Sequence, residues 1–309
     1  MSSKVLLKTL NISHEDWLRS RKIGIGGSEA ASIAGLNPWS SPMKVYLDKL
    51  SDEVEDIDNE RMRIGRDLED YVARRFTEET GKKVRKLNSI LQSEEHPFML
   101  ANLDRVVVGE NAFLECKTTN SFAKKDWESD SIPLHYEIQC LHYMAVGGYD
   151  YGYIAVLIGN EKFVWKKIER DEEVLKNLIE IEKTFWEENV LKKNPPLPDG
   201  SDQYSDFLKE KYKDVSDEIK LLPDTFIGEL EEYDLLKEQL SELEGKKKLI
   251  EQKIQDEMKD SQVAKVGDRK ITWKQIMKSG FDSKRFEKER PEIYKEYIKS
   301  SSYRRFSIS

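Results

Sequence analysis

The sequence contains few cysteines or histidines and no long apolar run. Only two cysteines, Cys116 and Cys140, occur in 309 residues, which excludes a disulfide framework and predicts buried thiols in a reducing compartment. With four scattered histidines, a structural zinc site is not expected. No stretch of about 18 apolar residues occurs, and residues 1–5 lack the apolar core of a signal peptide. We therefore expect a soluble cytoplasmic protein without a membrane span.

An excess of basic residues is also absent. The 59 acidic residues outnumber the 51 lysines and arginines, for a net charge of −8. This balance argues against a protein that coats nucleic acid non-specifically. It does not exclude an enzyme that acts on DNA, because acidic metal sites lower the net charge while local basic patches can still hold a phosphate backbone.

The most informative polar residues lie in an apolar hairpin over residues 98–118. The pattern predicts two strands joined by a Gly-Glu-Asn turn. Glu115 and Lys117 are two residues apart and therefore share a face, and Asp104 on the partner strand lies close enough to meet them. Two carboxylates converge favourably only around a cation, and oxygen ligands suit Mg²⁺ or Mn²⁺. Such an ion can activate water against a phosphodiester. The alternative is ordinary charge on a strand surface.

Further candidates lie on predicted helices. Glu69 lies four residues after Gly65 in the same predicted helix. Glycine inside a helix costs about 1 kcal/mol relative to alanine, so Gly65 indicates close approach of the helix to the sheet or to a ligand. Gln139 lies on the helix that follows the Glu-x-Lys strand. For both Glu69 and Gln139, a solvated helix face is the alternative. Arg21 and Ser28 flank a glycine-rich turn in which Ser28 is predicted to cap a helix. Helix starts bind phosphate well, although an ordinary loop also fits.

The periodicity predicts an α/β protein with a mixed sheet flanked by helices. Predicted helices cover residues 14–19, 28–33, 43–50, 59–79, 133–146 and 171–189; predicted strands cover 84–92, 99–108, 112–118, 151–158 and 162–168. Proline, glycine and serine predict a linker over 194–205, between a core at 1–193 and an extension at 206–309. The extension is predicted to hold a long amphipathic helix, a small hairpin near Gly267 and a basic, aromatic tail.

In this order, these segments resemble the YqaJ-type viral recombinase nucleases, relatives of phage lambda exonuclease in the PD-(D/E)xK superfamily. The matching stretches are residues 17–32, 65–69, 102–105, 114–118 and 139–144, together with parts of the C-terminal tail. Where the superfamily has Pro-Asp, this chain has Leu103-Asp104, which keeps the carboxylate. The resemblance implies a restriction-endonuclease-like core, with the mainly helical extension absent from the lambda enzyme.

The resemblance also implies an activity. It predicts a metal-dependent 5′→3′ exonuclease on double-stranded DNA, which releases 5′-mononucleotides and leaves a 3′ single-stranded tail for an annealing protein. Such enzymes serve phage-type homologous recombination in the cytoplasm of a bacterial host. A homo-oligomer, a trimer as in the lambda enzyme, is implied as well.

By the same resemblance, two ions of Mg²⁺ or Mn²⁺ would occupy the site. Asp104, Glu115 and the backbone carbonyl of Cys116 would hold the ion on the side of the attacking water. Glu69, together with Asp104, would hold the ion on the side of the leaving group.

The remaining roles implied by the resemblance concern water and the DNA end. Lys117 would orient or deprotonate the attacking water, and Gln139 would support the site. Arg21 and Ser28 would grip the terminal 5′ phosphate.

Two alternatives stay open. One is an endonuclease or a RecB-like nuclease, although an iron–sulfur version needs four cysteines. The other is a DNA-binding or scaffold module of recombination without nuclease activity, in which the long helix binds a partner and the carboxylates are structural.

Overall fold

The computed structural model describes residues 2–53, 59–128, 130–299 and 303–308. The chain divides into two compact units, residues 1–211 and 212–309. No helix in these described ranges is long and apolar enough to cross a membrane. The two cysteines are free thiols, with Cys140 buried and Cys116 partly buried.

The first unit alternates short strands with helices. Its helices are α1 (His14–Arg21), α2 (Gly27–Ile33), α3 (Pro42–Leu50), α4 (Glu60–Thr80), α5 (Leu134–Gly147), α6 (Glu172–Thr184) and α7 (Asp202–Lys211). Its strands are β1 (Ser3–Lys8), β2 (Ile25–Gly26), β3 (Val84–Arg85), β4 (Ser89–Ser93), β5 (Met99–Ala101), β6 (Arg105–Val107), β7 (Ala112–Thr119), β8 (Tyr151–Ile158) and β9 (Lys162–Glu169). A 3-10 helix spans Ser121–Trp127, and α6 continues as a π-helical segment over Phe185–Leu191.

Local sequence signals account for the ends of α4. The side chain of Asn59 accepts a hydrogen bond from the amide of Met62, which satisfies one of the free amides of the first turn. The helix ends at Gly81, whose φ of 71° is the left-handed conformation that glycine adopts at low cost. The predicted helix over 59–79 is confirmed.

The strands form two sheets. The larger sheet has the order β3-β6-β7-β8-β9, in which β7 and β8 are parallel and the other pairs are antiparallel. The smaller sheet has the order β1-β4-β5-β2. On one face of the larger sheet, Phe76 of α4 packs with Leu114; on the other, Phe113 packs with Met144 of α5. The predicted mixed sheet flanked by helices is confirmed.

The predicted strand over 99–108 is wrong as a single element. It is split by Asn102–Asp104, because β5 pairs with β4 and β2 in the smaller sheet whereas β6 pairs with β3 and β7 in the larger one. The predicted strand over 84–92 is split in the same way, with Asn88 at a positive φ of 49° between β3 and β4. Strand β1, which the sequence did not indicate, pairs with β4.

The first unit continues beyond the predicted core boundary. Helix α7 brings Tyr204 and Phe207 against a cluster that includes Met43 and Tyr46. The compact unit therefore ends at Lys211, and the predicted linker over 194–205 lies within it.

The second unit is built on one long helix. Its elements are α8 (Phe226–Met258), β10 (Val263–Val266), β11 (Arg269–Thr272), α9 (Ser283–Glu289) and α10 (Pro291–Tyr297). Helix α8 has 33 residues and confirms the predicted long helix. The hairpin β10–β11 turns at Gly267, with φ of 56°, and confirms the predicted small hairpin.

A buried ion pair joins α5 to α6. Nδ1 of His142 lies 2.8 Å from Oε1 of Glu182, and Nε2 lies 2.9 Å from the carbonyl oxygen of Leu100 in β5. Both paired side chains are fully buried. Burial lowers the pKa of His142, but the carboxylate of Glu182 and the two hydrogen bonds outweigh it, so that the pKa is raised. As an imidazolium, His142 donates to both partners.

This pair predicts a specific dependence of stability on pH. Because the folded pKa of His142 is raised, its stabilisation is fully present below about pH 6.5 and is lost as the pH rises through the folded pKa. In Glu182→Gln the main cause of the shift is removed. We therefore expect the urea midpoint to fall between pH 6 and pH 9 more steeply in the parent protein than in Glu182→Gln. Equal slopes for the two proteins would show that the pair does not titrate in this way.

Candidate active site

The second half of β7 places Glu115 and Lys117 on one face of the larger sheet. Nζ of Lys117 lies 2.7 Å from Oε1 of Glu115, and Glu115 is almost fully buried. Residues 115 and 117 point toward α5, because alternate side chains of a strand share a face and Phe113 already packs there. The predicted shared face of Glu115 and Lys117 is confirmed.

Helix α5 supplies the residues that complete this cluster. Nε2 of Gln139 donates to Oε1 of Glu115 at 2.6 Å and to the hydroxyl of Tyr143 at 3.0 Å. Oε1 of Gln139 accepts from Nζ of Lys117 at 3.1 Å. Gln139 and Tyr143 are one helical turn apart, so they reach the site from the same side of α5. The sequence predicted Gln139 at the site and missed Tyr143.

Asp104 lies in the break between β5 and β6 and not within a strand. Its Oδ2 accepts a hydrogen bond of 2.8 Å from the backbone amide of Cys116. Strand β6 pairs with β7 only as far as Leu114, so this carboxylate satisfies a backbone group that no strand covers. The amide and the carbonyl of one strand residue point to the same side, so the carbonyl of Cys116 also faces Asp104.

The cluster holds opposed charges in a buried setting. Burial raises the pKa of Asp104, and the charge of Glu115 raises it further, to well above the usual range. Burial lowers the pKa of Lys117, but the charges of Glu115 and Asp104 outweigh this effect and raise it. At neutral pH Lys117 is therefore an ammonium that compensates part of the negative charge.

Glu69 does not join the carboxylate pair directly. It lies on α4 and forms an ion pair with Arg105, which also pairs with Asp70 and donates to the carbonyl oxygen of Asp104. Arg105 is almost fully buried and was not singled out from the sequence, although its charge beside Asp104 was visible there. A Cβ on Gly65 would lie 3.5 Å from Oγ1 of Thr118, an ordinary contact. The sheet therefore does not require glycine at that position.

Arg21 and Ser28 contact each other, but the prediction that Ser28 caps α2 is wrong. Nη2 of Arg21 donates to the hydroxyl of Ser28 at 2.8 Å, and its guanidinium lies 5.0 Å from the ring centre of Trp17. Ser28 is not the cap of α2, because the helix begins one residue earlier with Gly26 at the cap position. Glu29 takes the capping role and accepts from the amide of Gly26 at 2.8 Å.

A buried lysine fixes the position of Arg21. Nζ of Lys49 donates to the carbonyl oxygen of Arg21 at 2.7 Å and lies 2.8 Å from Oε2 of Glu29. Burial lowers the pKa of Lys49, whereas the carboxylate of Glu29 opposes this effect and favours the protonated amine. This lysine joins α3 to α2 and was not singled out from the sequence.

The glycine-rich turn lets α2 approach α5 closely. A Cβ built on Gly27 would lie 2.5 Å from the ring of Tyr143, a separation that real side chains do not adopt. Gly24 is constrained in the same way by the carbonyl oxygen of Phe98, at 2.6 Å. The glycines that suggested a phosphate-binding helix start are therefore explained in part by close packing.

These elements enclose one cleft of about 170 Å³. Its lining includes five of the residues predicted for the site: Arg21, Ser28, Asp104, Glu115 and Gln139. The other lining residues are Trp17, Gly26, Gly27, Ile90, Leu100, Asn102 and Tyr143. The two predicted groups, the carboxylates and the Arg21–Ser28 pair, thus face a common space.

Comparison with known proteins assigns the family. Residues 16–150 match the model of the YqaJ-like viral recombinase domain. The chain is also 40% identical, over 310 residues, to a protein of Bacillus subtilis (strain 168) described as uncharacterized protein YqaJ. That alignment spans 99% of this chain and 97% of the relative. The chain belongs to the YqaJ-like viral recombinase family. The resemblance inferred from short motifs is confirmed, and it extends over nearly the whole length of this family member.

Two exonucleases are among the solved structures to which part of the chain is similar. An alkaline exonuclease (LHK-Exo) from Laribacter hongkongensis is 19% identical and superposes with a TM-score of 0.49, covering 56% of this YqaJ-like chain and 91% of its own. A phage-related exonuclease from Haemophilus somnus 129PT is 14% identical, with a TM-score of 0.42, covering 58% of this chain and all of its own.

The raised pKa of Asp104 predicts a stability cost at this site. Asp104→Asn removes one of two buried negative charges that repel each other, while the amide oxygen can still accept from the amide of Cys116. In EDTA at neutral pH we expect the free energy of unfolding to rise by on the order of 1 kcal/mol. Asp206→Asn is the matched control, because Asp206 is exposed and pairs at the surface with Lys209. A loss of stability in Asp104→Asn as large as that in the control would contradict the repulsion.

Proposed function

We propose that this protein is a divalent-metal-dependent deoxyribonuclease that hydrolyses double-stranded DNA from its 5′ ends. The observation that carries the proposal is the cleft, in which a buried carboxylate pair lies together with an arginine–serine pair. Lys117 does not line the cleft but pairs with Glu115, one of the two carboxylates. The first group suits phosphodiester hydrolysis, and the second suits a phosphate. Membership of a viral recombinase family supports DNA as the substrate.

The donor atoms fit a divalent ion. Oε1 of Glu115 already bonds Gln139 and Lys117, whereas the buried Oε2 has no hydrogen-bond partner among the described residues. Such an oxygen is costly to bury unless a ligand satisfies it. Asp104 and the carbonyl of Cys116 would supply the other oxygens. Within the described ranges no group of three or more His, Cys, Asp or Glu side chains is arranged to hold a metal. Two carboxylates and water molecules are the usual coordination of Mg²⁺.

When bound, the ion would lower the pKa of a water molecule and stabilise charge on the phosphate. Glu69, proposed as a ligand of a second ion, here pairs with Arg105. We propose that a second ion binds only when Glu69 leaves Arg105, for which incoming phosphate is a suitable replacement partner.

Lys117 would act on the attacking water. The charges of Glu115 and Asp104 hold its proton. A cation that compensates these carboxylates removes this effect, so that the amine can release its proton and then orient the water or accept a proton from it. Gln139 would hold the side chains of Glu115 and Lys117 in position, because it forms a hydrogen bond with each of them.

Arg21 and Ser28 would select the DNA end. A guanidinium and a hydroxyl 2.8 Å apart present several donors to a terminal 5′ phosphate. Holding that phosphate beside the carboxylates would give 5′→3′ digestion, release of 5′-mononucleotides and a 3′ single-stranded tail. An annealing protein that receives this tail, and a homo-oligomer such as a trimer, belong to the same proposal.

The first test is metal dependence on linear duplex DNA. We expect Mg²⁺ or Mn²⁺ to support degradation and EDTA to stop it. Lys117→Ala should lower turnover by about 10²-fold or more while DNA affinity is kept, because it removes a proton acceptor and not a ligand. Lys44→Ala is the control, since Lys44 lies in an exposed pair with Asp48.

Three results would count against this mechanism. Full activity in EDTA would exclude the metal, and near-normal turnover of Lys117→Ala would exclude its role. Metal-independent binding of duplex with no hydrolysis under any condition would favour the alternative, a DNA-binding module without nuclease activity.

The second test concerns the DNA end. We expect faster digestion from a 5′-phosphorylated end than from a 5′-hydroxyl end, and Arg21→Ala should erase most of the difference. Arg19→Ala is the matched control, because Arg19 lies on the same helix but pairs with Glu15 in solvent. Equal rates from both ends in the parent protein would refute the phosphate pocket.

A further inference from the structure

The basic residues of this acidic protein are concentrated near its C-terminus. Residues 259–309 contain 14 lysines and arginines against seven acidic residues, although the whole chain has a net charge of −8. Within 263–285 the ratio is seven to two. This segment is therefore positively charged although the chain as a whole is negative. A local positive patch of this kind attracts a polyanion.

The hairpin β10–β11 carries three cations, two of which lie directly opposite each other. Lys265 lies directly opposite Lys270, and Val266 lies opposite Arg269. Like charges directly opposite each other destabilise a strand pair. The three cations are exposed, and no ion pair reaches any of them within the described ranges. A bound anion would therefore relieve this repulsion.

The lysines of α8 behave differently. Lys246 pairs with Glu242, and Lys247 lies 3.5 Å from Glu251. Their charge is compensated within the helix, so a polyanion would gain little from them. The exposed cations of the hairpin therefore differ from these exposed lysines in having no ion pair within the described ranges.

Aromatic side chains alternate with the basic residues that follow β11. Trp273 is 47% exposed directly after the strand, and Phe281 is 73% exposed. Between and after them lie Lys274, Lys278 and Lys284. Bases of a single strand stack on exposed aromatic rings, whereas bases inside a duplex are already stacked. Cations that follow the backbone, combined with rings that stack bases, are the features of a single-strand binding surface.

We propose that residues 263–285, called here the basic arm, bind single-stranded DNA through its phosphates and through stacking on Trp273. The inference rests on the proposed function, because digestion of one strand of a duplex is what exposes the other. The basic arm would hold the strand that the cleft does not digest.

The test measures binding in EDTA, where no hydrolysis occurs. The probe is a labelled oligothymidylate of about 30 nucleotides, longer than one binding site, followed by fluorescence anisotropy over a range of salt. In the full chain, Lys265→Gln/Arg269→Gln/Lys270→Gln should weaken binding about tenfold or more and reduce the salt slope by about two. The matched control, Lys246→Gln/Lys247→Gln/Lys248→Gln, removes the same charge from α8 and should bind as the parent does.

A second variant separates stacking from charge. Trp273→Ala should weaken binding of the oligothymidylate while leaving the affinity for duplex DNA unchanged. Parent-like binding by the triple hairpin variant, or an equal loss in the α8 control, would overturn the proposal. Loss of duplex affinity alone would do so as well, since it would assign the basic arm to double-stranded DNA.

The proposed nuclease and the proposed basic arm can be refuted independently of each other. If the parent protein does not hydrolyse DNA in Mg²⁺, the proposed nuclease is wrong, yet the anisotropy measurement in EDTA still decides whether the basic arm binds a single strand. If hydrolysis of a short duplex is normal and the hairpin variant binds as the parent does, only the basic arm is refuted.

Discussion

The hydrogen bond from the amide of Cys116 to the carboxylate of Asp104 is the contact on which the site depends. At this point the chain has left β5 of the smaller sheet and is about to enter β6 of the larger one. No strand covers the amide of Cys116 there, and an unpaired buried amide is costly. The carboxylate removes that cost and is itself held beside Glu115. The junction between the two sheets is therefore also the place where two acidic groups are brought together.

Helix α5 couples this junction to the rest of the cleft. Gln139 bonds Glu115 and Lys117, and Tyr143 bonds Gln139 while its ring packs on Gly27. His142, the residue directly before Tyr143, pairs with Glu182 and fixes the same helix against α6. A change at the glycine turn would thus displace Tyr143 and, through it, Gln139. The two halves of the cleft are therefore connected through α5, which suits the proposed function, in which a DNA end and a reacting phosphate are held at a fixed separation.

Sequence patterns were sufficient where the partners are local. Periodicity and turn residues predicted α4 with its end at Gly81 and the β8–β9 hairpin through Gly159, since both depend on neighbours in the chain. They failed at Asn102–Asp104, because the continuity of a strand depends on which sheet it joins, and that choice is made by distant segments. The pairing of Arg105 with Glu69 was hidden for the same reason. The spacing of Glu115 and Lys117 did predict their contact, because alternation along one strand needs no long-range information.

On the proposed function, the charge of the carboxylate cluster gives a physical reason for a cation from outside the chain. Two carboxylates and one ammonium leave a negative surplus in a buried place, and a phosphate would be repelled by it. Asp104 and Glu115 would hold a divalent ion there, and its charge would offset this repulsion. Two buried cations are already paired, Arg105 with Glu69 and Lys49 with Glu29, whereas Arg21, which lines the cleft beside Ser28, is the proposed ligand of the terminal phosphate. On the proposed function, different groups therefore divide the work: the carboxylates would hold the metal, Arg21 and Ser28 the terminal phosphate, and the basic arm the backbone of the undigested strand.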